Sequence, residues 1–553
     1  MANTPFTAIC RLTISAWLAL SSCSTALAAD PASEQMRDQQ RELQQLQQQQ
    51  RLEQWKRRPA PKPQAPAAAS TSADSRCWPV SGLRLSGNQR LDNAALEQTL
   101  QPLLRPCMSA NDINGLLLAI TEAYVHAGYP ASRPYLAHRP KAGKPLDILI
   151  VEGFVESIEL DSALPLSLAG AFPGMLGQPL HLPDLEQGLD QLNRLRAYDL
   201  GADLAPGELP GGTRIQIEPR RIGARWHVDS RLDNRGSALT GRYRLNLGLG
   251  LDSPLGLNDD LRLSLLSTVF DAPGRSQGVS LYYSIPYGPW TFALNASELQ
   301  YRAPVPGSRL RSHGISSLQG LSLDRMLWRN RQGMLNASLR LDHKRIDNGF
   351  GPLRIVQQSP TLTSVEAGIN LFWLEGGLWN AYLGVAQGVD WFGADRSPVG
   401  RKSAEPAFRK YRANLLYLRQ GPWRWQSELN LQYSPDRLPA IEQLALTDDL
   451  AVRGFRQYSV AGASGAVWRN TLSHALPLAL PVEVRPHLGL DLGWTRFDHG
   501  SSPQRLAGAS LGVTLGTAGS RLRLDYQRAL SASDLRRDSL EPGFWVLEWT
   551  LTI

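Results

Sequence analysis

Polar and apolar side chains alternate with a period of two over the carboxyl-terminal part of the chain, from about residue 223 to Ile553. The segment "TGRYRLNLGLGLD" places apolar side chains on one face and mostly polar ones on the other, and "MLNASLRLDHK" and "FWVLEWTLTI" do the same. This is the period of a β-strand, whose successive side chains point to opposite sides of the sheet. The pattern therefore predicts a sheet of many strands, each with one apolar face.

Such a sheet fits either a soluble sandwich or a membrane barrel, because both alternate in the same way. Three features favour the barrel: an apolar face of about five residues on each strand, aromatic residues near the strand ends, and an export signal. Division of residues 222–553 at their turn signals gives about sixteen segments, and single-chain bacterial barrels have an even number of strands. We therefore predict a transmembrane β-barrel of about sixteen antiparallel strands, whose closure leaves no unpaired edge in lipid.

Three segments precede the folded part of the chain. Residues 1–29 combine an early Arg11, an apolar run and small residues up to Ala28, and they are predicted to be a secretory signal peptide. Residues 30–58 are rich in glutamine and other strong helix formers. A helix with mostly polar faces suits a water-filled channel, and a coiled coil or a disordered tail is the alternative. Residues 59–76, rich in proline, alanine and serine, are predicted to be an extended linker.

Two cysteines, Cys77 and Cys107, remain once the signal segment with Cys10 and Cys23 is removed. Exported chains enter an oxidising compartment, so this pair is predicted to form a disulfide; two unrelated buried thiols are the alternative. Chain entropy gives a closed loop of about thirty residues a stabilisation of about 3–4 kcal/mol. The disulfide would therefore stabilise the fold of the segment that follows the linker.

Two units of mixed helix and strand follow, over residues 77–152 and 153–221. In the first, a strand leads to two helices, capped by Asp92 and by Ser109, and two further strands close the unit. The second unit repeats the order strand, helix, helix, strand, strand in shorter form. Two consecutive β-α-α-β-β units predict two small α+β domains of one architecture.

The sequence carries no pattern that points to an enzyme, a cofactor or a metal site. It has neither a G-x-x-x-x-G-K-[ST] loop nor an H-E-x-x-H motif, and its nine histidines lack ligand spacing. The segment "GASLG" at 508–512 matches a nucleophile elbow, but it lies in an alternating stretch with no helix after it, so Ser510 is not expected to be a nucleophile. The net charge of +8 is spread along the chain, which argues against nucleic acid as a partner.

One aspartate and one arginine are candidates for a contact inside the barrel. The alternation places Asp491 on the lumen face of its strand with Gly489 and Gly493 on either side, and bare backbone beside a carboxylate suggests that another segment packs there. Arg453 lies in the longest connection without clear alternation, about residues 436–464, and its guanidinium can pair with a carboxylate at two points. An arginine on a neighbouring strand is the alternative partner.

These features together resemble the two-partner secretion transporters of the TpsB type, which export filamentous haemagglutinins, haemolysins and contact-dependent inhibition toxins. The resemblance covers essentially the whole mature chain, and its most specific marks are "VRGF" at 452–455 and "GLDLG" at 489–493. It implies two periplasmic POTRA (polypeptide-transport-associated) domains and a sixteen-stranded barrel in the outer membrane of a Gram-negative cell. The residues that it assigns to an inward-folded loop motif are Val452, Gly454 and Phe455, and those of the barrel-wall motif are Gly489 and Gly493.

The resemblance also implies a mechanism. The POTRA domains would bind the N-terminal secretion domain of a large TpsA-type exoprotein, the helix at 30–58 would plug the resting pore, and a lock between Arg453 and Asp491 would hold the loop. Outer-membrane lipid and the barrel assembly machinery are the other partners implied, and export would proceed without nucleotide hydrolysis. The alternatives are an outer-membrane protein assembly insertase, which usually has more POTRA units, and a passive porin, which would leave the POTRA pair unexplained.

Overall fold

The computed structural model describes Met36 and residues 77–553, with short gaps at 161–162, 271, 306–307, 331, 398–403, 448–449 and 480. The predicted signal peptide, residues 1–29, and the predicted linker, residues 59–76, lie outside the described residues, as does the predicted helix at 30–58 except for Met36. Within the described part of the chain, no helix has both the length and the hydropathy needed to cross a membrane.

The first α+β unit is a four-stranded sheet with two α-helices. Its elements are β1 (Cys77–Ser86), α1 (Asn93–Leu100), β2 (Cys107–Ser109), α2 (Ala110–His126), β3 (Arg133–Leu136) and β4 (Lys144–Val151). The strand order is β2–β1–β4–β3, and β1 runs parallel to β4 while the other pairs are antiparallel. The sequence prediction lacks β2, because three residues are too few to show an alternation.

Helix α2 begins at the cap that the sequence predicts, Ser109. The Ser109 hydroxyl accepts a hydrogen bond from the backbone N–H of Asp112 at 3.2 Å, and the Asp112 carboxylate accepts one from the backbone N–H of Ser109 at 2.9 Å. Hydrogen bonds from the hydroxyl and the backbone of Ser109 keep the pKa of Asp112 below its usual value. The apolar face of α2 then packs on the sheet and forms the core with Ile113, Leu116, Ile120, Tyr124, Leu146, Ile148 and Ile150.

A disulfide joins Cys77 at the start of β1 to Cys107 at the start of β2, with the two Cα atoms 5.4 Å apart. Replacing both cysteines with serine is expected to destabilise this unit by about 3–4 kcal/mol, because the unfolded chain gains the entropy of an open loop. In limited proteolysis of the full-length chain, cleavage within residues 77–151 should become faster while the barrel stays intact. Reductant should have the same effect on the native chain and none on the double serine variant; equal cleavage rates for both chains would contradict the prediction.

The second unit is a three-stranded sheet with one short and one longer helix. Its elements are β5 (Phe154–Leu160), α3 (Leu168–Ala171), α4 (Leu182–Asn193), β6 (Tyr198–Pro206) and β7 (Gly212–Ile222). The strand order is β5–β7–β6, with β5 parallel and β6 antiparallel to β7. Helix α4 buries Leu185 and Leu192 in the core of this unit, which also contains Val155, Ile215 and Ile217 of the sheet. Both units thus have the predicted order of elements, with β2 as an addition in the first.

The remaining residues form one closed antiparallel barrel. Its strands are β8 (Trp226–Asp233), β9 (Arg244–Asp252), β10 (Asp260–Thr268), β11 (Arg275–Tyr287), β12 (Trp290–Pro304), β13 (Arg311–Arg329), β14 (Gly333–Phe350), β15 (Leu353–Arg354), β16 (Thr361–Trp373), β17 (Leu378–Val389), β18 (Arg409–Arg419) and β19 (Trp423–Tyr433). After the short loop strands β20 (Leu444–Ala445) and β21 (Ala461–Gly462), it continues with β22 (Ser464–His474), β23 (Glu483–Arg496), β24 (Gln504–Gly516), β25 (Ser520–Ala532) and β26 (Phe544–Thr552).

The barrel wall closes by pairing of its last strand, β26, with its first, β8. Neighbours in the sequence are neighbours in the wall, and the two-residue β15 only extends the hairpin that follows β14. Without β15, the described residues form sixteen wall strands. The predicted sixteen-stranded barrel behind two α+β domains is therefore confirmed.

The alternation along each strand separates a lipid-facing set of side chains from a lumen-facing set. On β23, Leu488 and Leu490 are 56% and 51% exposed, whereas Asp491 and Thr495 are 0% and 1% exposed. Leucines on the outside of a closed barrel are stabilised by lipid, while polar groups inside it are satisfied by water or by other protein groups. Asp491 therefore lies inside the barrel, where the alternation in the sequence places it.

The second α+β unit is attached to the barrel at the turns that follow β9 and β11. Gln187 and Gln191 on α4 donate to the Gly288 carbonyl at 3.0 and 3.1 Å, and Arg194 donates to the Asn258 carbonyl at 2.9 Å. Side chains of α4 and of Arg194, the residue that follows it, thus contact two turns at the same end of the wall. The α+β units therefore lie at one mouth of the barrel, and the connections at the other mouth face away from them.

Arg194→Ala is expected to loosen this attachment, because it removes hydrogen bonds to the Asn258 carbonyl and to the Ser284 hydroxyl. Hydrogen bonds of a charged group contribute about 1.5–3 kcal/mol each, so amide hydrogens of α4 should exchange with deuterium at least about tenfold faster in the full-length chain. Arg214→Ala is the matched control, since Arg214 donates to the Pro206 carbonyl within the same unit. Equal exchange of α4 in the Arg194 variant and the native chain would contradict the prediction.

Candidate functional site

The connection between β19 and β22 folds back into the barrel. It runs from Ser434 to Ala463 and includes the β20–β21 pair. Backbone hydrogen bonds give it a fixed shape: the Leu446 N–H donates to the Val460 carbonyl at 2.7 Å, and the Val452 N–H donates to the Leu446 carbonyl at 2.9 Å. This inward loop joins the eleventh and twelfth strands of the wall and brings buried residues of its own into the lumen.

The tip of the inward loop carries Arg453, which contacts Asp491 on β23. The guanidinium donates to both carboxylate oxygens, from Nε to Oδ2 at 2.6 Å and from Nη2 to Oδ1 at 2.5 Å. The backbone N–H of Arg453 donates to Oδ2 as well, at 3.0 Å. Arg453 is 4% exposed and Asp491 is 0% exposed, so the two charges are withdrawn from water together. This is the two-point geometry in which an arginine–carboxylate pair is strongest and most specific.

The strands on either side of β23 supply further acceptors for the same guanidinium. Nη1 of Arg453 donates to the Ser510 hydroxyl on β24 at 2.9 Å, while Nη2 donates to the Asn470 carbonyl at 2.9 Å and to the Thr471 hydroxyl at 3.2 Å on β22. In the sequence, Ser510 stands out only through a chance match to a nucleophile motif. The signal that could have identified it is its parity, since Ser510 lies on the lumen face directly opposite Gly489.

Three wall glycines make room for the loop tip. A Cβ atom added at Gly489 would lie 2.0 Å from Nη1 of Arg453, and one added at Gly508 would lie 1.8 Å from the Arg453 carbonyl oxygen. At Gly493 the added Cβ would lie 2.7 Å from Cγ2 of Val452. Close packing leaves no space for these atoms. The open backbone predicted at Gly489 and Gly493 is thus filled by the inward loop, and Gly508 is a third such position, which was not predicted from the sequence.

The two residues after Arg453 fit the loop to the wall. Gly454 has a φ of +94°, a backbone conformation that glycine adopts without strain, and a Cβ there would lie 2.2 Å from the carbonyl carbon of Arg528. Phe455 is buried in an apolar cluster between loop and wall. The loop contributes Leu446, Ala451, Val452, Phe455 and Val460, and the wall contributes Val467, Leu506, Ala529 and Ala532. Apolar burial thus supports the ion pair at the loop tip.

The connection between β25 and β26 holds the loop beyond its tip. The Glu541 carboxylate accepts hydrogen bonds from three successive backbone N–H groups, those of Arg456 at 2.9 Å, Gln457 at 2.8 Å and Tyr458 at 2.6 Å. The guanidinium of Arg456 lies over the ring of Phe544, 4.1 Å from its centroid. No sequence motif marks Glu541 or Phe544, so only the structure brings them to the site. The described contacts position a loop inside a pore.

A closed barrel with a lipid-facing exterior, two α+β units at one mouth and a loop fixed inside its lumen defines the class of POTRA-containing outer-membrane barrel transporters. The family model described as "Haemolysin secretion/activation protein ShlB/FhaC/HecB" matches residues 211–515. The models "POTRA domain, ShlB-type" and "POTRA domain" match residues 78–153 and 154–206. The chain therefore belongs to the haemolysin secretion/activation family, the TpsB-type transporters of two-partner secretion.

Several curated relatives and solved structures are similar over most of the chain. The hemolysin transporter protein ShlB of Serratia marcescens is 36% identical over 514 residues, which cover 91% of this chain and 89% of that protein. The hemolysin transporter protein HpmB of Proteus mirabilis is 33% identical over 506 residues, 89% of this chain and 87% of that protein. The structure of CdiB from Escherichia coli matches with a TM-score of 0.85 and 28% identity, over 95% of this chain and 100% of that one.

The family places the barrel in the outer membrane and the POTRA domains in the periplasm. The turns that contact α4 are therefore periplasmic, and the connections at the other mouth are extracellular. The inward loop enters the lumen from the extracellular mouth, because it connects two strands at that end. Its tip reaches the wall at Asp491 on β23.

Proposed function

We propose that this protein binds a large partner exoprotein in the periplasm through its POTRA domains and passes it through the barrel to the cell surface or the medium. The observation that carries this proposal is a loop anchored to the wall at Arg453 and Asp491, inside a barrel whose periplasmic mouth bears two POTRA domains. A passive porin would leave the two POTRA domains unexplained. Two relatives at 36% and 33% identity are named hemolysin transporters, which supports export of a protein.

The proposed cargo is a TpsA-type haemolysin, adhesin or contact-dependent inhibition toxin with an N-terminal secretion domain. An exoprotein that crosses the barrel in extended form presents backbone hydrogen-bonding groups before it presents a folded surface. Edge strands of the POTRA sheets can pair with such a chain irrespective of much of its sequence. Among the edge strands, β6 is the longest, with nine residues against three in β2, four in β3 and seven in β5. We therefore favour β6 as the strand that the secretion domain extends.

The amino-terminal helix predicted at 30–58 is proposed to plug the resting pore. Support comes from Met36, which is helical and 1% exposed. Its side chain belongs to a buried apolar cluster with residues of the barrel and the inward loop, namely Tyr301, Ala303, Ile346, Leu362 and Ile441. A residue of this segment thus contacts the inside of the wall, as a plug requires.

Export is proposed to proceed without nucleotide hydrolysis, driven by folding of the exoprotein outside the cell. The Arg453–Asp491 lock would hold the inward loop in the position that export of the exoprotein requires. Outer-membrane lipid is the proposed partner of the outward leucines, and the barrel assembly machinery is proposed to insert the chain.

Co-expression with a candidate TpsA-type exoprotein that has an N-terminal secretion domain tests the proposal. The exoprotein should reach the medium or the cell surface with the native chain, and it should remain in the periplasm without it or when residues 77–221 are deleted. The insertase alternative predicts a different result, namely that loss of this chain lowers the amount of other folded outer-membrane barrels. Unchanged export of the exoprotein without this chain would refute the proposed function.

A further inference from the structure

A second charged contact, separate from the one at Arg453, holds the first half of the inward loop. Glu442 ends the short 3-10 turn Ala440–Glu442 and is 2% exposed. Its Oε1 accepts a hydrogen bond from Nζ of Lys344 on β14, and its Oε2 accepts one from Nζ of Lys410 on β18. Both lysines are buried as well. One carboxylate therefore joins the loop to two wall strands that are separated by β16 and β17.

The backbone around Glu442 is fixed at the same place. The side-chain amide of Gln432, near the end of β19, donates to the Glu442 carbonyl at 3.0 Å and to the Ala463 carbonyl at 3.2 Å. The amide of Gln443 donates to the Leu438 carbonyl at 2.9 Å. The Gln432 side chain thus links Glu442 to Ala463 at the end of the loop. Its hydrogen bond to the Glu442 carbonyl fixes the backbone from which the Glu442 carboxylate reaches the two lysines.

The two charged contacts lie on different parts of the wall. Lys410 is on the tenth wall strand and Asp491 on the thirteenth. At about 4.8 Å between neighbouring strands, three spacings separate these residues by about 14 Å around the barrel. Residues 443–452 connect Glu442 to Arg453 along the loop. The loop is therefore fixed to the wall at two separate points, at Glu442 and at Arg453.

The balance of charge makes this contact depend on Glu442. Two ammonium groups share one carboxylate, so neutralising Glu442 leaves two buried like charges that repel each other and lack their acceptor. Neutralising either lysine leaves a one-to-one pair. Neutralising Glu442 on the loop should therefore weaken the contact more than neutralising Lys344 or Lys410 on the wall.

We propose that Glu442, Lys344 and Lys410 form a second anchor of the inward loop, which keeps the first half of the loop in the lumen and, together with the plug proposed at residues 30–58, limits the ion conductance of the resting pore. With this anchor broken, the loop is held at Arg453 while its first half moves away from the wall. The two lysines then face the channel. This inference concerns the resting channel and goes beyond export, so its failure would leave the proposed function standing.

Single-channel recordings of the purified full-length chain in planar lipid bilayers test the second anchor. Glu442→Gln should raise the mean conductance at least about twofold and shift the selectivity towards anions, because unpaired ammonium groups then line the channel. Glu405→Gln, an exposed glutamate in the connection before β18, is the matched control and should behave like the native chain. Native conductance and native selectivity in Glu442→Gln would overturn the proposal.

A charge-inverted variant separates pairing from mere folding. Lys344→Glu, Lys410→Glu and Glu442→Lys together keep two charges of one sign around one of the other, so conductance should return towards the native value. Heat-modifiable mobility on gels reports the fraction of folded barrel in each sample. If Glu442→Gln yields fewer folded barrels with native conductance per channel, or if the inverted variant is as leaky as Glu442→Gln, the triad does not act as an anchor.

Discussion

Asp491→Ala and Arg453→Ala are each expected to lower the amount of exoprotein in the medium by at least about tenfold, while the amount of folded barrel in the outer membrane stays the same. Removing one partner of a buried ion pair costs about 3–5 kcal/mol, because the other charge remains desolvated and unpaired. The sixteen-stranded wall has its own backbone hydrogen bonds, so the loop tip is displaced and the barrel persists. Immunoblots of medium and membrane fractions, with heat-modifiable mobility as the folding assay, measure both quantities.

The barrel offers a matched control for these two variants. Arg354 and Asp347 form an arginine–aspartate pair at 2.9 Å, but their side chains are 53% and 46% exposed. Exposed pairs contribute about 0–1 kcal/mol, so Arg354→Ala should secrete as much exoprotein as the native chain. Full secretion by both Asp491→Ala and Arg453→Ala would remove the lock from the mechanism.

Gly508→Val is expected to lower secretion to a similar extent without any change of charge. A Cβ atom at this position would lie 1.8 Å from the carbonyl oxygen of Arg453. Relief of this clash requires the loop backbone to move away from the wall backbone. The barrel should still fold, because valine suits a strand. Export and barrel folding are measured as for the charge variants.

Gly516→Val is the control for Gly508→Val. Gly516 lies on the same strand and the same face, and a Cβ atom there would have no neighbour within 4 Å. This variant should secrete normally. If Gly508→Val secretes as well as Gly516→Val, close packing of the loop tip on β24 is not needed for export.

Much of the fold can be predicted from the sequence, because lipid and lumen impose opposite demands on the two faces of every strand. The leucines on either side of Asp491 face outward and Asp491 faces inward, so parity alone identifies its environment. The two β-α-α-β-β units follow from caps such as Ser109, whose local chemistry begins a helix wherever it occurs. The short strand β2 and the ends of the helices depend on tertiary pairing, and the sequence does not show them.

Some contacts of the inward loop can likewise be predicted from the sequence, and others cannot. Arg453 and Asp491 are recognisable because a glycine-flanked carboxylate and an arginine in a long connection are unusual residues for their places. Glu442 is inconspicuous, since its partners lie on strands that only barrel closure brings to it. Glu541 is equally inconspicuous, because it acts on backbone N–H groups and no side-chain pattern records that role. The signal peptide, the linker and the cargo stay predictions.

The central claim is that the exoprotein passes through the lumen of this barrel. Positions on β12 test it, because Leu294 faces lipid and is 42% exposed, whereas the neighbouring Asn295 faces the lumen beside Gly320. A photo-cross-linking amino acid at residue 295 should attach to an exoprotein that is arrested during export, and the same amino acid at residue 294 should not. Cross-links of equal yield from both faces, or none from residue 295 while the exoprotein reaches the medium, would contradict passage through the pore.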